Sequence, residues 1–145
     1  MCGISLRTRC AAALLGAALL LSGFASAQDP RASAAQAVAR QFLLLTDRGD
    51  VKSSWNAAGK QFRNGITAVQ WTNALAQVRA PVGEVVDRAL VSTEFLRTFP
   101  GVASEGDYVI LEYRTSFAKL TGARESLTLE READGAWRVI GYVIR

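Results

Sequence analysis

The sequence contains no histidine, and its two cysteines, Cys2 and Cys10, both stand near its beginning. The rest of the chain therefore lacks the side chains for Ser-His-Asp or Cys-His catalysis, for thiol redox chemistry and for the usual zinc sites. Glycine-rich phosphate loops are missing as well, since neither G-x-x-x-x-G-K-[ST] nor G-x-G-x-x-G occurs. No metal and no cofactor are expected. Charge of one sign is scarce: 17 Lys and Arg against 13 Asp and Glu give a formal net charge of +4. The basic residues are spread singly among acids, with no run to neutralise successive phosphates, so no nucleic-acid partner is expected.

Long apolar runs are also lacking. The best, Ala11 to Leu21 (AAALLGAALLL), falls well short of the roughly 20 residues that span a bilayer. It follows Arg7 and Arg9 and precedes Ala25-Ser26-Ala27, a small-residue cleavage site, which together read as a secretory signal peptide over residues 1–27. Cleavage between Ala27 and Gln28 would leave a periplasmic or secreted chain with no membrane span, no thiol and length enough for one packed core.

Residues 28–33 read as a flexible leader and 34–145 as a single α+β domain. Ser33 and Gln36 have capping-box spacing, and Ala35, Val38, Phe42 and Leu45 follow with helical period. Asp50 can cap a second helix carrying Val51, Trp55, Ala58 and Phe62, weakened at Gly59 by about 1 kcal/mol. Thr67 and Gln70 form another capping box before a third helix with Ala68, Trp71, Leu75 and Val78 on one face. The stretch WTNALAQVRAPVGEVVDR, Trp71 to Arg88, reads as the corner where helices give way to sheet: Arg79 suits the helix C-terminus, and Pro81 cannot continue the helix.

Four strand-like stretches follow, Val85 to Arg97, Tyr108 to Ala118, Arg124 to Ala133 and Ala136 to Arg145, with turns at Pro100-Gly101, Thr121-Gly122 and Asp134-Gly135. Three helices packed on a curved four-stranded antiparallel meander is the expected architecture. A two-residue Asp134-Gly135 loop sets Leu129 opposite Ile140 and Leu127 opposite Tyr142. That register turns Trp137, Val139 and Val143 to the outer face, an apolar set that predicts a homodimer or protein partner there. It also opposes Arg131 and Arg138, an unfavourable pair.

Acid–base candidates are few. Glu130, Glu132 and Asp134 have the spacing of oxygen ligands, but Asp-Gly between alternating strands reads as a hairpin instead. Asp87 interrupts an apolar face of the first strand and is the one weak catalytic candidate, as a base if buried. Trp55, Trp71 and Tyr113 are the candidate walls of a cavity between helices and sheet.

Trp71 to Arg88, Pro100-Gly101, GDYVILEYRTSF (Gly106 to Phe117), Glu125 to Leu129 and GAWRVIGYVIR (Gly135 to Arg145) resemble domain of unknown function family 4019. The resemblance implies an exported bacterial protein and supplies no catalytic residue. Helices before a sheet that ends in W-R-V-x-G-Y also look like the NTF2-like, or cystatin-like, α+β cone, a fold that hosts isomerases, dehydratases and non-catalytic ligand or dimerisation modules. The expectation is a non-enzymatic binding or assembly module; the alternative is a small-molecule binder or isomerase-like enzyme using the cavity.

Overall fold

The computed structural model describes residues 29–145. The signal segment expected from the sequence, with its Ala27/Gln28 boundary, lies outside the described residues. Those described form an α+β fold: four helices, α1 (Pro30–Asp47), α2 (Val51–Ala57), α3 (Lys60–Gly65) and α4 (Ala68–Arg79), then strands β1 (Val85–Leu96), β2 (Tyr108–Phe117), β3 (Leu120–Arg131) and β4 (Trp137–Ile144). The sheet is an open antiparallel meander in the order β1-β2-β3-β4.

α1 starts three residues before the expected cap. Asp29 accepts from the Arg31 backbone N–H at 2.9 Å and Pro30 takes the first helical position, a stronger start signal than Ser33 because proline presets the helical φ. Ser33 is thus inside the helix, and Gln36 reaches across to β1 instead, its Nε2 donating to Thr93 Oγ1 at 3.1 Å. The buried residues Ala32, Ala35, Ala39, Phe42, Leu43 and Thr46 trace one face.

The expected second helix is two. Asp50 caps α2 through the Ser53 N–H as anticipated, but Ala58 and Gly59 are extended and the Gly59 N–H donates to the Val139 carbonyl of β4 at 2.8 Å. A Cβ on Gly59 would lie 2.9 Å from Ile140 Cγ2 and 3.1 Å from Glu132 Oε1, so only glycine brings the backbone this close to the sheet. Glu132 Oε1 then accepts from Lys60 N at 2.7 Å, capping α3 from a different element. The Thr67–Gln70 capping box of α4 forms as expected.

Turn chemistry corrects the strand register. The β3–β4 loop has three residues, closed by Glu132 N–H to Ala136 carbonyl at 2.9 Å, with Gly135 left-handed at φ +82°. Arg138 therefore stands opposite Glu130 rather than Arg131 and pairs with Glu132 and Asp134 at 2.8 and 2.7 Å. A bulge at Ile140 restores the expected pairing of Leu127 with Tyr142 beyond it. Between turn and bulge every residue changes face: Leu129 pairs with Val139, and Trp137 and Val139 point into the core, 6% and 1% exposed. The β2–β3 turn likewise falls at Ala118–Lys119, and Thr121-Gly122 becomes a bulge inside β3.

The main core joins Phe42, Phe62, Trp71, Leu75 and alanines of α1 to Val109, Leu111, Leu127, Leu129, Trp137 and Val139 of the sheet. Phe62 meets Trp71 edge to face at 5.0 Å between centroids, and Phe42 and Tyr142 complete the aromatic contact.

Candidate functional site

Strand alternation places Tyr113, Thr115 and Phe117 of β2 and Ala123, Glu125 and Leu127 of β3 on the helix-covered face, with Tyr113 directly paired to Glu125. A carboxylate at this position, fully removed from solvent, demands cations and donors. β1 supplies Arg88, whose Nε donates to Glu125 Oε2 at 2.6 Å and Nη2 to Oε1 at 3.1 Å. Thr115 Oγ1 donates to Oε2 at 2.5 Å and the Tyr142 hydroxyl to Oε1 at 2.6 Å. Arg79, in the last turn of α4, places Nη1 3.8 Å from the same Oε1.

Asp47, the last residue of α1, completes the cluster. Its two oxygens take Arg88 Nη1 and Nη2 at 2.7 and 3.0 Å, and Oδ1 also pairs with Arg79 Nη1 at 3.0 Å. Arg79 in turn stacks over Phe117, 5.1 Å from the ring centroid. Two arginines and two carboxylates balance in charge and tie two helices to the sheet. Burial works against the charged form of Arg88, but its hydrogen bonds to Asp47 and Glu125 outweigh that and raise its pKa further above the usual arginine range. Burial, then the Glu125 carboxylate, pushes the Tyr142 hydroxyl well above the tyrosine range, so it remains a neutral donor. Glu125 already accepts from three side chains, and Asp47 spends both oxygens on arginines. Every carboxylate oxygen of the cluster accepts from arginine, and the cluster clamps the fold.

Beside it, α1 and the sheet border a half-open pocket of about 300 Å³, lined by Arg40, Leu43, Leu44 and Asp47 from α1, Arg88 and Leu90 from β1 and Tyr113 from β2. Helical period brings residues 40, 43, 44 and 47 to one side of α1. Leu44 and Leu90 are 39% and 40% exposed. The buried Tyr113 hydroxyl has no hydrogen-bond partner among the described residues, and burial raises its pKa. A second hollow, about 400 Å³, lies toward the outer side of the sheet around Val91, Ser92, Glu112, Arg114 and Arg124.

The residues singled out in the sequence do not converge. Tyr113 lines the pocket. Trp55 and Trp71 instead fill the helical layer, each indole N–H satisfied at 2.9 Å, by the Ile66 carbonyl and Ser54 Oγ. Asp87 is exposed and pairs with Ser116 across the strands, so the burial that would make it a base is absent. Trp137 and Val139 are core, which withdraws the apolar outer face expected to carry a dimer; of that set only Val143 is exposed. The outer face carries Glu112, Arg114, Arg124, Ser126, Glu130 and Arg138 beside Tyr108, Ile110 and Val143. Sequence reasoning missed Asp47, Arg79, Arg88 and Glu125. A signal was present for the last: Glu125 alternates with Leu127 and Leu129, which marks it as a charge on the core face.

Among the described residues no group of three or more acidic, His or Cys side chains is placed to hold a metal ion, and no helix is long and apolar enough to cross a membrane. No match is found among the curated proteins. Residues 38–142, a span that includes the whole ionic cluster and the pocket, match the family described as protein of unknown function (DUF4019), and the chain belongs to that family.

Proposed function

We propose that this domain binds a small ligand, without transforming it, in the pocket between α1 and the β1–β2 side of the sheet. The observation that carries the reading is the pocket itself: exposed leucines, and a buried tyrosine hydroxyl with no partner among the described residues, beside a charge-balanced ionic floor. Concave apolar sites with a few polar groups are where small molecules bind, and this volume stands at the lower end of the roughly 300–1,000 Å³ such sites occupy. Binding is favoured over catalysis because each carboxylate lining or flooring the pocket is already held by arginine. Helices followed by a meander also suit the NTF2-like, or cystatin-like, cone, and the leader read from the sequence would deliver the domain to the periplasm or outside the cell.

Native mass spectrometry of the protein gently purified from its exporting host tests this. The expected spectrum shows the chain from Gln28 with a reproducible added small-molecule mass, lost when Leu90→Trp fills the pocket. A bare chain, together with no small molecule that raises its melting temperature in a ligand screen, would overturn the reading.

A further inference from the structure

Resting on that reading, we infer that the pocket's ligand is a small organic anion, a carboxylate on an apolar body, with its head group held by Arg40. The inference follows from which charges beside the pocket are spent. Arg88 uses Nε, Nη1 and Nη2 on Glu125 and Asp47. Asp47 gives Oδ1 and Oδ2 to Arg88, and Oδ1 also to Arg79. These lining groups cancel in charge, and only one Arg88 Nη1 N–H and one Asp47 Oδ2 lone pair stay outside the cluster's own bonds. Arg40 is different: it lines the same pocket yet makes no hydrogen bond or ion pair with any described residue, so the unspent charge is positive.

The other unspent group is also a donor. Tyr113 is 5% exposed, and its hydroxyl has no hydrogen-bond partner among the described residues. Arg40, Arg88 and Glu125 are the charges that act on it, and burial keeps it protonated. A guanidinium and a phenol suit an acceptor of negative charge, and the guanidinium fork matches a carboxylate. They suit an ammonium poorly. The remaining wall is Leu43, Leu44 and Leu90, which reward an alkyl or ring body and not a bare inorganic ion.

The test compares three probes of one length, octanoate, octanol and octylammonium, titrated into the folded chain and followed by residue-resolved amide shifts. Octanoate is expected to move Leu43, Leu44 and Leu90 saturably and to bind on the order of tenfold tighter than octanol, the size of one hydrogen bond to a charged group. Octylammonium should bind more weakly than octanol. Arg40→Gln, an exposed change that leaves the ionic cluster intact, should bring octanoate down to the octanol level and leave octanol unchanged. Equal binding of octanoate and octanol, or a preference that survives Arg40→Gln, would overturn the anion assignment while the pocket stands. So would octanoate shifts centred on Arg114 and Arg124 of the outer face. Failure of all three probes to move the pocket leucines would refute both the pocket reading and this inference.

Discussion

A buried carboxylate is tolerable only when its surroundings replace what water gave it, and Glu125 shows the replacement atom by atom. Arg88, Thr115 and Tyr142 donate to it from three strands, while Arg79 approaches from a helix. Removing one partner from such a group is costly because the charge left behind stays buried. The Tyr142 contact also gives the fold a signed alkaline response. Burial and the neighbouring Glu125 carboxylate raise the folded-state pKa of the hydroxyl above its unfolded value of about 10. Above that value the unfolded chain sheds a proton that the folded chain keeps, so this group's contribution is intact below about pH 10 and is lost as pH rises toward the folded pKa. Urea midpoints from about pH 8 to about pH 11 should therefore fall. The Tyr142→Phe variant should start lower, by about 1.5–3 kcal/mol for a hydrogen bond to a charged group, and then fall less steeply, with Tyr113 and Tyr108, whose pKa values burial also raises, supplying the remainder. Parallel profiles for the two proteins would show that Tyr142 does not titrate differently on unfolding.

At the scale of elements, the helix starts at Asp50 and Thr67 were legible because capping is local chemistry. The division of α2 from α3 was not, because its cause is tertiary: the Gly59 N–H is drawn to Val139 at a point where β4 bulges. Propensity alone marks Gly59 as a weak spot and says nothing of the strand beneath it. Two glycine substitutions separate these effects. Gly59→Ala places a methyl 2.9 Å from Ile140 Cγ2 and should cost about 1–3 kcal/mol through overpacking. Gly65→Ala, at an exposed helical position with no atom within 4 Å of the new Cβ, should stabilise by about 0.4–1 kcal/mol by restricting the unfolded chain. Chemical denaturation of both variants reads the contrast directly. Equal effects would mean that Gly59 is only a poor helix former and that its approach to the sheet is not tight.

For the whole molecule, the order of elements could be read from the sequence, whereas the faces of β4 and the ionic cluster could not. Strand order follows from alternation and turn residues. Facing depends on a count of single residues, and here a three-residue loop and a bulge offset each other, so Leu127 and Tyr142 pair as expected while Trp137 and Val139 turn inward. The cluster is harder still to foresee, since Asp47, Arg79, Arg88 and Glu125 come from four elements and meet only after packing. The inward turn of Val139 reverses what a charge there should do. On an outer apolar face, Val139→Lys would alter assembly and spare the fold. In the core that the structure describes, it buries an unpaired ammonium among Leu129 and its neighbours, at a cost above about 4 kcal/mol. That is a large share of the roughly 5–15 kcal/mol that holds a domain together. Cooperative urea unfolding should be lost or moved far downward, whereas Val143→Lys, at an exposed position opposite Ser126, should change stability by no more than about 0.5 kcal/mol and leave the hydrodynamic mass unaltered. A well-folded Val139→Lys protein with a changed hydrodynamic mass would restore the outer-face contact and require the register of β4 to be redrawn.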